Sequence, residues 1–185
     1  MRLEVSRLAQ LLHEPLPDSP HDPYVAQLAE TGGLDEAELL EVCHAAMWRS
    51  CGLLLDNRYE MSLPIYGNAV LLVVHEVTSS SSQFPVVATA RRKWTVAGSS
   101  VKVHRRGVDV RLEIYPRVGS VTVSGAHVSL YDLEIEGLET LADYGDPEDV
   151  VVANMPAWTS RARIRGLAQL IGPGSSEQNV VPLRR

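Results

Sequence analysis

The chain is poor in cysteine and has no long apolar run. Only Cys43 and Cys51 occur in 185 residues, which is too few for a disulfide framework, so we expect both to be reduced thiols. No run approaches the roughly 18 apolar residues that a membrane-spanning helix needs. The first residues also lack the apolar core of a secretory signal. We therefore expect a cytoplasmic protein with no membrane partner.

Motifs that would name a chemistry are also missing. The sequence has no nucleophile elbow, no glycine loop that cradles phosphate and no zinc-binding histidine pair at helical spacing. With 45% apolar and 22% charged residues, the chain is long and apolar enough to bury a sizeable core. We expect a non-enzymatic binding or regulatory module that carries no metal and no cofactor.

Charge is arranged in blocks along a chain whose net charge is −6. Residues 1–60 hold 4 basic and 11 acidic side chains, and residues 118–157 hold 8 acidic side chains and no basic one. Residues 91–117 have the opposite sign, with 8 basic side chains against 2 acidic ones. Their densest part, RRKWTVAGSSVKVHRR at residues 91–106, needs an explanation, because segregated charge often marks an interaction surface.

The first 60 residues have the periodicity of helices. Apolar residues at helical spacing predict a short amphipathic helix over residues 2–13, and the prolines that follow predict a linker near residues 14–23. Asp22 is suited to cap a brief helix that ends at the glycine pair 32–33. We expect this part to be helical.

A longer helix is predicted from residue 35 to about residue 56. Asp35 and Glu38 form a capping-box pattern, and the apolar residues from Leu39 to Leu54 recur with a period near 3.6. In such a helix Cys43 and Met47 would lie on one face, which faces the rest of the protein.

From about residue 61 the pattern changes to that of strands. The β-branched run at residues 68–78 predicts a central strand covered on both faces, and the serines at residues 79–83 predict a polar loop. A second strand is expected to start near Pro85. Alternating apolar residues predict a hairpin over residues 101–115 that turns at Arg105-Arg106-Gly107.

Further strands are predicted at residues 119–124 and 127–136, with a bulge near Tyr131-Asp132 where the apolar set changes face. Residues 157–171 fit either a helix or a strand bent at Gly166, and the alternation of arginines with apolar residues favours the strand. Residues 173–185 are expected to form a flexible tail.

These patterns predict an α+β fold. The helical residues 1–60 would pack on an antiparallel β-meander of residues 61–172, arranged as a sheet or a partly closed barrel.

The basic stretch suggests a site for nucleic acid or another polyanion on a β-hairpin. In this hypothesis cationic side chains crowd one edge of the sheet and one aromatic ring offers a stacking surface. The candidate binding residues are Arg91, Lys93, Trp94, Lys102, Arg105 and Arg106.

A structural explanation competes with this hypothesis. Adjacent strands of a meander often carry opposite charges, so Arg111 and its neighbours would face the acidic residues Asp132, Glu134 and Glu136 across the sheet. The basic stretch would then be neutralised within the fold.

Two other classes of function stay open. The acidic first 60 residues could form a protein–protein contact, including one between two copies in a homodimer. Alternatively, the strands could belong to a split barrel that binds flavin or haem, as a ligand-binding protein or an enzyme.

Overall fold

The computed structural model describes residues 3–13, 21–58, 66–84, 94–115, 119–138 and 155–172. The ten strands within these ranges are β1 (Leu3–Val5), β2 (Glu38–Ala45), β3 (Ser50–Asp56), β4 (Ala69–His75), β5 (Ser79–Gln83), β6 (Trp94–His104), β7 (Gly107–Ile114), β8 (Gly119–Gly125), β9 (His127–Ile135) and β10 (Ala162–Ile171). The helical elements described are α1 (Pro23–Ala26) and the 3₁₀ helices Leu8–Leu12, Gln27–Ala29 and Ala46–Trp48.

The strands form a continuous antiparallel sheet in the order β1-β10-β9-β4-β3-β2-β6-β7-β8-β5. The link between β2 and β6 consists of only two residue pairs, Glu38 with Thr95 and Leu39 with Trp94. At this narrow link the sheet folds over, so that apolar side chains of β7 and β8 pack against those of β4 and β9 in one buried core. This packing places the ends of several strands from both halves at the same end of the molecule.

A second apolar cluster covers the other face of the half that contains β3, β4 and β9. Leu8, Leu11 and Leu12 of the first 3₁₀ helix pack there against Leu54 and other side chains of the sheet. Both faces of β3 and β4 are therefore buried, which confirms the prediction that residues 68–78 contain a central strand.

The predicted α+β fold is wrong, because the structure is mostly antiparallel sheet with one short α-helix in its described part. The largest error concerns the helix predicted at residues 35–56, which is instead the hairpin of β2 and β3. Met47 is 91% exposed at the tip of this hairpin, so it does not belong to a buried stripe.

Two features of this hairpin imitate a helical pattern. The register of β2 shifts between Leu39 and Glu41, and such an irregularity interrupts the two-residue alternation of a strand. Strand β3 is buried on both faces, and a continuous apolar run has no period that separates strand from helix. The turn also lacks a glycine that would have indicated a hairpin. Arg49 adopts the left-handed conformation there, with φ 50°.

The helix predicted at residues 2–13 is wrong in the same sense, since this segment contains β1 and the 3₁₀ helix Leu8–Leu12. The start of the brief helix after Asp22 is confirmed by α1, but the helical residues end at Ala29, before the predicted end at the glycine pair 32–33. The carboxylate of Asp22 accepts hydrogen bonds from the backbone N–H groups of Tyr24 and Val25, as an N-cap does.

Several strand predictions are confirmed, namely the hairpin at residues 101–115 and the strands at residues 119–124 and 127–136. Residues 162–171 form a strand, not a helix, and the register shifts between Ile164 and Gly166 opposite Leu133 and Asp132. The irregularity lies beside Gly166, where the strand was predicted to bend, whereas the bulge predicted near Tyr131-Asp132 is on the wrong strand of this pair.

The polar loop predicted at residues 79–83 is wrong. These residues form β5, an exposed strand at one edge of the sheet that pairs with β8. A run of serines has no apolar side chain to reveal the alternation of a strand.

Three predictions fall on residues outside the described ranges. They are most of the linker near residues 14–23, the strand start near Pro85 and the tail at residues 173–185. No helix in the described ranges is both long and apolar enough to cross a bilayer.

Candidate polyanion-binding end

The structure separates Trp94 from the candidate binding residues near the β6–β7 turn. Trp94 is the first residue of β6, its ring lies 5.7 Å from that of Phe84, and it packs against the core. Arg105 and Arg106 follow the last residue of the same strand. Eleven residues of extended strand place the two groups about 30 Å apart. Arg91 and Lys93 lie outside the described residues.

Lys102 lies on β6 directly opposite Asp109 of β7. The same carboxylate lies 3.5 Å from the Nε2 atom of His104. The His104–Asp109 contact is largely exposed, where an ion pair contributes little stability. Asp109 nevertheless offsets one of the positive charges of the hairpin, so Lys102 is a weaker candidate for anion binding than the turn.

The β6–β7 turn consists of Arg105 and Arg106, and both residues are exposed. The backbone N–H of Arg106 donates a hydrogen bond to Nδ1 of His104, 3.3 Å away. Neither guanidinium forms an ion pair with any other residue in the part of the chain that the structure describes. Gly107 closes the turn with φ 150°, and a Cβ atom there would collide with the carbonyl oxygen of Gly125.

The acidic residues expected to neutralise the basic stretch pair elsewhere. Strand β7 lies between β6 and β8, not beside β9. Arg111 therefore contacts Glu113 of its own strand at 3.1 Å. Glu134 pairs with two arginines of β10, Arg163 and Arg165. The predicted pairing of Arg111 with the acidic strand is wrong, because the two strands are not neighbours.

Asp132 also has a different role. Its carboxylate accepts hydrogen bonds from the backbone N–H groups of Tyr66 and Gly67, each at 2.9 Å. Burial raises the pKa of Asp132, and the two hydrogen bonds oppose that shift. Asp132 thus fixes the chain entering β4 and is not available to the basic hairpin.

The β6–β7 turn shares one end of the molecule with three other connections. We call this region the hairpin end and define it as residues 46–49, 75–78, 102–109 and 124–127. Its parts are joined by backbone contacts: the N–H of Val77 donates to the carbonyl oxygen of Arg49, that of Thr78 donates to Ser124, and that of Ala126 donates to His75. The hairpin end carries four exposed Arg or Lys side chains, Arg49, Lys102, Arg105 and Arg106, against the acidic Glu76 and Asp109.

Sequence reasoning missed Trp48 and Arg49 at the hairpin end. The side chain of Trp48 is 49% exposed and stacks on His13, with ring centroids 4.9 Å apart and planes inclined by 20°. Arg49 is exposed and makes no ion pair among the described residues. The sequence has no clear turn signal there, because residues 45–50 contain no Gly, Pro, Asn or Asp.

Two stacked imidazoles lie at the hairpin end, the buried His75 and the half-buried His127. The rings of His75 and His127 stack with centroids 4.5 Å apart, and Nε2 of His75 lies 3.2 Å from Oγ of Ser129. Burial, followed by the charge of His127, lowers the pKa of His75 to about 4. Burial also lowers the pKa of His127, and the charge of Glu76 opposes that shift. Both rings are therefore neutral at pH 7, and Ser129 is completely buried, so this group does not form an accessible nucleophile.

The two cysteines lie on opposite faces of the β2–β3 hairpin. Cys51 belongs to the core between the two halves of the sheet, whereas Cys43 packs against the other apolar cluster. Burial raises the pKa of Cys51 to about 12, with a further contribution from Cys43. Such a thiol is inert at neutral pH. Among the residues described, no three His, Cys, Asp or Glu side chains are placed to hold a metal ion.

A cavity of about 650 Å³ lies at the end opposite the hairpin end. It is lined by Tyr66, Asn68, Glu136 and the ion-paired side chains of Glu134 and Arg163, among others. Its volume is in the range of small-molecule sites. Its charged groups are largely paired with each other, so its chemistry differs from that of the hairpin end.

Comparison of the chain with protein-family models, with curated proteins and with solved structures finds no match.

Proposed function

We propose that the chain is a non-enzymatic binding module that binds a polyanion at the hairpin end, with Arg105 and Arg106 as the main contacts. The observation that carries the proposal is the exposure of two adjacent guanidinium groups in a two-residue turn, without an ion pair in the described structure. Arginine binds phosphate and other oxyanions with two parallel hydrogen bonds. A turn that exposes two such groups is suited to anion binding, whereas its charges contribute little to the stability of the fold.

The distribution of the acidic residues also supports this proposal. The arginines of β10 are already engaged by Glu134 and Glu4, and Arg111 is engaged by Glu113. The guanidinium groups of Arg105 and Arg106 differ from them, because neither forms an ion pair within the described residues. A polyanion can therefore approach it without displacing an existing ion pair.

The test is a binding titration of a labelled single-stranded oligonucleotide at about 50 mM salt, where screening is weak. The variant Arg105→Ala/Arg106→Ala should bind more weakly than the wild type. Loss of two phosphate contacts should also lower the slope of log affinity against log salt by about 1.4. Absence of binding by the wild type at this salt concentration, both to the oligonucleotide and to inorganic polyphosphate, would refute the proposal.

A matched control separates local contacts from net charge. Arg111→Ala/Arg161→Ala removes the same total charge from two exposed arginines outside the turn. The proposal requires this control to bind nearly as well as the wild type. Equal losses in both variants would mean that only the overall charge matters.

Binding of a small molecule is a second candidate function, favoured by the cavity of about 650 Å³ at the opposite end. A visible absorption spectrum of the purified protein tests its most specific form, because bound flavin or haem absorbs visible light. A colourless protein would remove the flavin and haem hypothesis and would leave the polyanion proposal unaffected.

A further inference from the structure

Trp48 lies where a polyanion bound at the turn could reach it. It ends the 3₁₀ helix Ala46–Trp48 at the tip of the β2–β3 hairpin, and Arg49 follows it. The carbonyl oxygen of Arg49 accepts a hydrogen bond from the N–H of Val77, at 2.8 Å. This contact ties the tip to the rest of the hairpin end.

The indole is held in place on one side. His13 stacks on it, and His13 follows a 3₁₀ helix whose leucines are buried. Oγ of Ser50 donates a 2.6 Å hydrogen bond to the carbonyl oxygen of Leu12, which fixes the end of that helix. About half of the Trp48 side chain is still exposed. An aromatic ring that is already oriented loses little conformational entropy when a planar ligand stacks on it.

The distance between Trp48 and the basic turn suits a short length of nucleic acid. Three successive contacts connect them, namely the backbone hydrogen bonds Val77–Arg49 and Thr78–Ser124 and the pairing of Gly125 with Val108, which follows Gly107. Three strand spacings amount to about 15 Å. Single-stranded nucleic-acid sites cover about 4–16 nucleotides, so one bound strand can span both positions.

We infer that the polyanion is single-stranded nucleic acid, with a base stacked on Trp48 and phosphates bound by Arg49, Arg105 and Arg106. This inference rests on the proposed function and adds the class of ligand. A basic surface combined with an exposed aromatic ring is the usual arrangement for binding single strands, and stacking tolerates any base. A membrane surface is the less favoured occupant, because an interfacial anchor needs a continuous apolar face. The described hairpin end exposes only three large apolar side chains, Met47, Trp48 and Val103, on two different hairpins.

Two probes test the inference, a labelled oligothymidylate and inorganic polyphosphate, which has charge but no bases. Trp48→Ala should weaken binding of the oligonucleotide by about 5- to 150-fold, the loss expected for one stacked base. It should leave the affinity for polyphosphate unchanged. Trp48→Phe should retain most of the oligonucleotide affinity, because phenylalanine also stacks. Tyr115→Ala, an exposed aromatic at the far end of β7, serves as the control and should have no effect.

The outcomes separate this inference from the proposed function. If the wild type binds neither probe, both fail. If Trp48→Ala binds the oligonucleotide as the wild type does, or loses both probes equally, the inference fails while the polyanion proposal stands. Vesicles of phosphatidylcholine with phosphatidylserine complete the test. Binding of the wild type to these vesicles, but not to the oligonucleotide, would assign the surface to a membrane and overturn the inference.

Discussion

The imidazole of His75 stacks on that of His127 across the β4–β9 pair, with ring centroids 4.5 Å apart. His75 is only 5% exposed. The buried ring of His75 has to be neutral in the folded protein, because protonation would place a positive charge in a desolvated position beside the half-buried His127. The pair therefore links the stability of the fold to pH.

The fold should lose stability as the pH falls from about 6.5 towards about 4. Burial lowers the pKa of His75 to about 4 in the folded protein, against an ordinary value of about 6.5 in the unfolded chain. Within that window the unfolded state binds more protons, so acid favours unfolding. The full shift corresponds to about 3 kcal/mol.

Urea unfolding at several pH values measures this loss. His75→Gln should flatten the dependence between pH 6.5 and pH 4.5, whereas the exposed His21→Gln should leave it as it is in the wild type. Identical pH profiles for the wild type and His75→Gln would show that other groups control the acid response.

The strand assignment of residues 38–56 predicts opposite results for two apolar residues. Leu53 is completely buried in β3, whereas Met47 is almost fully exposed at the hairpin tip. Leu53→Ala should reduce the free energy of unfolding by about 2–5 kcal/mol. Met47→Ala should change it by less than about 0.5 kcal/mol. A large loss for Met47→Ala would restore the helical interpretation, in which both side chains share a buried stripe.

Gly107 should not tolerate a side chain. Its φ of 150° is unfavourable for other residues, and a Cβ atom would collide with the carbonyl oxygen of Gly125. Gly107→Ala should therefore reduce the free energy of unfolding by at least about 1 kcal/mol, measured by urea unfolding.

Gly98 of the same hairpin provides the control. An added Cβ there would lie 3.4 Å from the nearest atom, the Oε2 of Glu113. Gly98→Ala should be neutral or slightly stabilising, because it restricts the unfolded chain. Equal effects at both positions would mean that the contact between Gly107 and Gly125 does not constrain the turn.

The sequence was sufficient to predict strands where apolar and polar residues alternate. Residues 101–115 have a clear two-residue period, and the hairpin was predicted correctly. The sequence was misleading for strands whose side chains are all buried or all exposed. Leu53, Leu54 and Leu55 are all buried although they face different sides, and the serines of β5 are all exposed. In both places the strand is set by pairing with distant segments, which local periodicity does not reveal.

The candidate site was predicted only in part, for a similar reason. The turn at Arg105 and Arg106 follows from the local pattern of the hairpin. The choice of Trp94 as its aromatic neighbour rested on proximity in sequence, but an extended strand carries residues apart by about 3.3 Å per residue. Trp48 lies far away in sequence. It reaches the same end only because β3 pairs with β4, and β8 pairs with both β5 and β7.

The most direct test of the central claim is to locate the surface that a polyanion contacts. Uniformly ¹⁵N-labelled protein would be titrated with inorganic polyphosphate at about 50 mM salt, and backbone amide shifts would be followed by NMR. Binding at the hairpin end predicts that the largest shifts occur at residues 46–49, 76–78 and 104–107. Shifts concentrated at residues 66–68 and 134–138, beside the opposite cavity, or an absence of shifts, would contradict it.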